Sequence, residues 1–200
     1  MSELLNPDRP IDVARPMRAD ARRNRAAILK AARELFASED PEVQMDDVAR
    51  RAGVGVGTVY RHFPDKEALM GELVRERFLQ FNERLEEALA DERSAPFDAL
   101  AGALRDNAAS VAEDAATRFA FMSGGERVFS HAEAEKEEFM RLAIPLVQRA
   151  KDAGELQPDF QATDIPMIMC GVCASIDKRS GGWDWRRHLE LILRGMRTGG

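Results

Sequence analysis

The chemistry in this 200-residue chain concentrates in one short run, Gly57-Thr58-Val59-Tyr60-Arg61-His62-Phe63. At about 100° per residue, Val56, Val59 and Phe63 fall on one side of a helix. Thr58, Arg61 and His62 fall on the other, with Gly57 beside them. Tyr60 lies on the edge, where its ring can pack while its hydroxyl points outward. Such a face suits a polyanionic duplex. Thr58 and Arg61 are the candidates for contacts at or near bases, since an arginine can hold guanine through two hydrogen bonds. Tyr60 and His62 are placed to donate to phosphates, and Gly57 lets the backbone approach closely. Beyond Pro64, Lys66 falls in the first turn of the next helix and is expected to meet a phosphate beside a positive helix terminus. Taken singly, Tyr60 reads as a packed edge residue and His62 as a solvated one. Their joint spacing favours DNA contact.

A helix this short does not stand alone in water, so a scaffold must clamp it. Ile28, Leu29, Ala32, Leu35 and Phe36 recur at helical spacing and predict a first helix over about Ala21 to Ser38, broken by Asp40-Pro41. A second helix is predicted over about Asp46 to Ala52, burying Val48, Ala49 and Ala52. Gly53 suits a left-handed turn between crossing helices, because it has no Cβ to clash. Helix, helix, glycine turn and short helix make a helix-turn-helix, whose second helix enters the major groove.

These residues resemble the DNA-binding domain of the TetR family of bacterial transcriptional regulators. The matching signature is Ile28-Leu29-x-Ala31-Ala32-x-x-Leu35-Phe36, Met45-x-x-Val48-Ala49-x-x-Ala52-Gly53-Val54 and Gly57 through Phe63, then Pro64-x-Lys66-Glu67-Ala68-Leu69. The resemblance covers roughly Ala21 to Leu73. It implies that the C-terminal part is an effector-binding and dimerising domain. Two positions depart from the usual pattern. Gln44 and Gly55 stand where many relatives carry Ser or Thr as helix caps. Glycine there costs only a few tenths of a kcal/mol. What is lost is a hydroxyl that also reaches phosphate.

The net charge of −6 conceals an uneven distribution. Between Arg15 and Arg33 seven basic residues face one acid, a local charge of +6. The chain through Lys66 carries +1 and the remainder −7. Arg22, Arg23 and Arg25 are therefore further candidates for DNA contact, while the acidic body would repel DNA except where the head docks. The alternative for the arginine run is a solvated helix face. Met1 to about Met17, with Pro7, Pro10 and Pro16, reads as a flexible arm and holds no signal-peptide core. The longest apolar run, Ile165 to Ile176, is too short to span a bilayer, so a cytoplasmic protein without membrane contact is expected.

The expected organisation is all-α, with about nine helices: an arm over 1–17, a three-helix head over 18–64 and a helical body over 65–200. Asp65 is placed to cap a long fourth helix striped by Leu69, Leu73, Phe78, Phe81, Leu85 and Leu89 through about Ala90. Further helices are predicted over 96–114, 117–122, 134–153 (broken or bent by Pro145), 164–177 and 184–197. Phe97, Phe119, Phe121, Met122, Phe129, Phe139, Met140, Met167 and Trp183 are the candidate walls of an effector cavity, against the alternative of ordinary core. If that cavity is apolar, the effector is a lipophilic or aromatic small molecule. In the last two helices, Ile165, Met169, Val172, Ile176, Leu189, Ile192, Leu193 and Met196 form a candidate homodimer interface, against packing within their own domain.

Cys170-Gly171-Val172-Cys173 is a CxxC in an apolar setting without a neighbouring cation in sequence, so buried thiols are expected rather than a redox or metal switch. His62, His131 and His188 share no metal-ligand spacing, and enzyme signatures are missing, so neither metal, cofactor nor catalysis is expected. The sequence thus points to a dimeric, effector-released repressor on a near-palindromic double-stranded DNA operator. The rival readings are a helical ligand- or partner-binding protein retaining the head as a relic, and a thiol sensor through Cys170 and Cys173.

Overall fold

The computed structural model describes residues 14–38, 40–176 and 182–199, with side chains from Ala19 onward. Within them the chain forms α1 (Ala14–Phe36), α2 (Met45–Ala52), α3 (Val56–His62), α4 (Lys66–Ala90), α5 (Pro96–Glu113), α6 (Ala115–Ser123), α7 (Glu126–Phe129), α8 (Glu133–Asp152), α9 (Asp164–Ile176) and α10 (Trp185–Met196). A 3-10 turn, Ser130–Ala132, joins α7 to α8. The only bridge of β type among the described residues pairs Leu156 with Arg197.

α1 begins at Ala14, earlier than its apolar repeat suggests. Pro16 falls in its first turn, where its missing N–H has no helical partner to lose. The expected arm therefore gives way to helix before Met17, and residues 1–13 lie outside the described part. Single-turn α7 and the 3-10 turn have no periodicity to betray them. α8 passes through Pro145 as one helix, with the proline on its exposed side.

The chain folds around two apolar clusters. The first gathers Ile28, Leu29, Ala32 and Phe36 of α1, Val48 and Ala49 of α2, and Val59 and Phe63. It is completed from outside the head by Leu69, Leu73 and Val74 of α4, Phe119 and Ala120 of α6, and Val128. The second cluster fills the body with Phe81 and Leu85 of α4, Leu100 and Leu104 of α5, Leu142 and Leu146 of α8, and Ile165, Val172, Leu189 and Leu193. α4 thus runs from one core into the other. A division after Pro64 would leave the head's core open on one side.

Gly71 explains how closely α4 approaches the 3-10 turn. A Cβ there would stand 2.6 Å from the His131 Cβ and 2.8 Å from its Cγ. The His131 Cβ cannot rotate away, so backbone must move. Gly71→Ala is expected to cost about 1–3 kcal/mol in urea unfolding, the usual range for overpacking. Pairing it with His131→Gly should recover most of the loss of that contact, and an additive double variant would contradict this account.

Candidate DNA-binding face and internal cavity

The turn before α3 is built as its sequence implies. Gly53 closes α2 at φ 69°, while the Val54 N–H donates to the Ala49 carbonyl at 3.1 Å. Gly55 caps α3 through its backbone carbonyl, which accepts from the Thr58 N–H at 2.8 Å. At the start of α2, the Asp47 carboxylate reaches back to accept from the Gln44 N–H at 2.9 Å, satisfying the cap residue's own amide. Asp65 caps α4, accepting from the Ala68 N–H at 2.7 Å.

Val59 and Phe63 anchor α3 in the first core, both fully or nearly fully buried. Gly57, Tyr60 and Arg61 are exposed, and Thr58 and His62 are half-buried. Five of the candidate contacts therefore share one accessible surface. Val56 is a correction: it stands at the first turn, 40% exposed, beyond the reach of the core.

The cations outside α3 divide. Arg22 is exposed, and Arg23 is exposed but paired with Asp20. Arg25 is turned inward: its guanidinium lies 5.4 Å from the Phe63 ring centre and 2.6 Å from a Glu72 carboxylate oxygen, tying α1 to α3 and α4. Lys66 is turned as well, donating to the Pro41 carbonyl at 2.7 Å beside the Phe36 and Phe119 rings. Neither points away from the head. Part of the basic run thus serves the scaffold, because carboxylates distant in sequence lie against it.

A second such tie links head to body. Arg33 on α1 pairs with Glu76 on α4 and donates to Asp114 at 2.8 Å. Asp114 caps α6, accepting from the Thr117 N–H at 3.0 Å and its hydroxyl at 2.6 Å. Burial pushes the Asp114 pKa up, but the Thr117 hydrogen bonds and the charges of Arg33 and Arg77 outweigh it, leaving the carboxyl below the usual range.

Behind this tie lies a cavity of about 110 Å³. Phe78, Phe81, Val111, Phe121, Phe129, Phe139, Met169 and Cys173 wall it, and Met122, Pro166 and Cys170 lie at more exposed positions along it. Of the nine expected wall residues, Phe121, Met122, Phe129 and Phe139 are there. Phe97 belongs to the body core beneath the Arg197 guanidinium. Phe119 faces the other way, stacked 5.8 Å from Phe36. Met140 packs against the body core, and Met167 and Trp183 are each 67% exposed.

Two polar residues outside the expected set also stand in the wall. Arg77 and Asn107 are buried, and the Arg77 Nε and Nη1 and the Asn107 Oδ1 have no hydrogen-bond partner among the described residues. The signal was available. Arg77 continues the apolar row Leu73–Phe81 at steps of four, and Asn107 interrupts Leu104–Val111. Burial pulls the Arg77 pKa down, Asp114 opposes it, and Arg84 and Arg33 add to the lowering.

The expected dimer residues are corrected too. Ile165, Met169, Val172, Leu189, Leu193 and Met196 are buried within their own chain, and Ile176 and Ile192 pack partly against the same core. Strong apolarity marked the inward face of each helix. The outward faces present Met167 and Gly171 on α9 and Leu191 and Gly195 on α10. Cys173 is also inside, its thiol pushed up to about 12 by burial first and by Cys170 next. Arg118 and Arg77 pull it down only in part, so it is a poor nucleophile at neutral pH. Among the described residues no group of three or more His, Cys, Asp or Glu is placed to hold a metal, and no helix is long and apolar enough to cross a membrane.

A three-helix head carrying a short, outward-facing second helix-turn-helix element, joined through one long helix to a helical body, defines a helix-turn-helix DNA-binding architecture. Residues 28–73 match the family described as bacterial regulatory proteins, tetR family, and residues 95–198 match the SbtR-like transcriptional regulator C-terminal domain. The chain belongs to the TetR family of transcriptional regulators. It is 33% identical to a TetR regulatory protein of Mycobacterium vanbaalenii over 92% of this chain and all of that one, with a TM-score of 0.57. An HTH-type transcriptional regulator of Staphylococcus aureus is 46% identical over 54 residues, which are 26% of this chain and only 29% of that relative. The fold is shared with FadR of Bacillus subtilis, solved in complex with stearoyl-CoA, at 20% identity and a TM-score of 0.69 over 88% of this chain and 98% of that one.

The depressed Asp114 pKa fixes a pH dependence. Its contribution to stability is present above the unfolded Asp value of about 4 and is lost as pH falls through the lower folded value. Denaturant unfolding at a series of acid pH values should therefore show a shallower decline for Asp114→Asn than for the parent. Parallel declines would show that Asp114 is not so perturbed.

Proposed function

We propose that this protein is a dimeric, effector-responsive transcriptional repressor that reads a near-palindromic operator through α3 of each subunit. The observation that carries this reading is the placement of α3: anchored by Val59 and Phe63, it turns Gly57, Tyr60 and Arg61 to solvent as one surface. Arg61 and Thr58 take the base or near-base contacts. Tyr60, His62, Arg22 and Arg23 take phosphates. Arg25 and Lys66 act as positioning residues in this scheme, since their charges already hold α3 and the α1–α2 connection. A structural relic would have no need of an accessible cationic face beside a paired scaffold.

Effector control follows from shared elements. α6 gives Phe119 and Ala120 to the head core and Phe121 and Met122 to the cavity, and α4 likewise serves both. A molecule that displaces the cavity walls must shift α6 or α4, and the Arg33–Asp114 pair carries that shift to α1. Induction requires that the effector prefer the arrangement in which the two heads no longer match adjacent major grooves.

Arg61→Ala should lower affinity for an operator recovered by selection by about 1–3 kcal/mol and relax its sequence preference. Tyr60→Phe should weaken all duplexes alike. Both variants should keep the parent's melting temperature, and parent-like affinity in anisotropy titrations across salt concentrations would refute the assigned roles.

The dimer is assigned to the outward faces of α9 and α10, where Met167 and Leu191 are exposed and Gly171 and Gly195 permit close helix approach. Met167→Glu with Leu191→Glu should yield a folded monomer by light scattering with lost operator binding. A persistent dimer would place the interface elsewhere.

A further inference from the structure

The cavity is lined almost wholly by carbon, yet it holds an unsatisfied cation. Arg77 is 7% exposed. Its Nη2 reaches the Ser110 carbonyl only at 3.5 Å and an Asp114 oxygen at 3.6 Å, both at the outer limit of useful contact. Its Nε and Nη1, which carry three N–H donors between them, meet nothing among the described residues. Asp114 offers little more, because its contacted oxygen already accepts from Arg33 at 2.8 Å and from the Thr117 hydroxyl at 2.6 Å. Arg84 adds a third guanidinium nearby and, among the described residues, takes neutral partners, the Gln80 carbonyl and the Ser110 hydroxyl. Among the described residues Arg33 and Arg77 share Asp114, Glu76 serves Arg33 alone, and Arg84 pairs with neither carboxylate. A buried charge in surplus calls for a counter-ion, and water alone supplies none.

The geometry points to a lipophilic carboxylate as the effector, its anionic group held by Arg77 and its hydrocarbon body held among Phe78, Phe81, Phe121, Phe129 and Phe139. This deepens, and rests on, the reading of the body as an effector-binding unit. A hydroxyl or N–H near the carboxylate would also satisfy the orphaned Asn107 Oδ1. Size narrows the class. A void of about 150 Å³ accepts benzene, so one of 110 Å³ must widen before an aromatic acid enters. Met122 is the yielding wall, being exposed, unbranched and at the end of α6. A compact ring or short chain bearing one carboxylate fits these limits. A neutral lipophile of equal size would leave Arg77 unpaired and further desolvated.

Isothermal titration calorimetry on the full-length protein tests this without DNA. The probes are 3-phenylpropanoate and 4-phenylbutanoate, each against its own primary amide. Each acid should bind tighter than its amide by roughly ten- to hundredfold, the range a charge-assisted hydrogen bond supplies. Arg77→Met should abolish that preference by weakening the acid while leaving the amide within a few-fold. Arg77→Lys keeps the charge but loses the planar fork, so it should retain a reduced preference, and it serves if Arg77→Met does not fold. Acid and amide binding equally well to the parent, or an undiminished preference in Arg77→Met, would overturn the anchor while leaving the body an effector site. No binding by any probe at millimolar concentration would overturn the ligand class, and the operator measurements on Arg61 and Tyr60 would stand apart from it.

Discussion

The burial of Val59 and Phe63 is the contact on which the DNA-binding face depends. A seven-residue helix has too few internal hydrogen bonds to persist alone, so its orientation is whatever its apolar anchors impose. Here those anchors enter a core built from α1, α2, the first turns of α4, and α6. The Arg25 guanidinium closes over the Phe63 ring and pairs with Glu72, fixing the end of α3 from two sides. With the apolar side spent in this way, the polar side has one direction left to face.

The same core couples the face to the body. Because α4 passes through both apolar clusters and α6 contributes to head and cavity alike, neither half can repack without the other registering it. The Arg33–Glu76–Asp114–Arg77 group runs along this seam. Its charges are better satisfied toward the head than toward the cavity. A seam satisfied on one side and wanting on the other is suited to bias by a small anion, and that imbalance is a property of where each side chain sits rather than of overall composition.

Much of the architecture was legible because it rests on local rules. Gly53 before a short helix, Asp65 before a long one and the 3.6-residue apolar repeats gave helix positions to within a few residues for most of the chain. The sequence read less well wherever the outcome depended on which distant group lay opposite. Sequence alone marks Arg25 and Lys66 as candidate DNA contacts, whereas Glu72 and the Pro41 carbonyl lie against them in the fold. The apolar faces of α9 and α10 looked like a dimer surface but are each helix's inner side. Residue type does not give direction: Phe119 and Phe121, two positions apart on α6, both touch the head core, but only Phe121 also reaches the cavity. Arg77 was the opposite case, a polar residue in an apolar row, where the exception marked the cavity.

Selection of bound duplexes from a random pool, followed by sequencing, examines the account at its root. Two copies of α3 related by a two-fold axis should recover an inverted repeat whose half-site centres are about 34–36 Å apart along the duplex, or a multiple of that turn. A pool that stays random, or an enriched motif without two-fold symmetry, would contradict it.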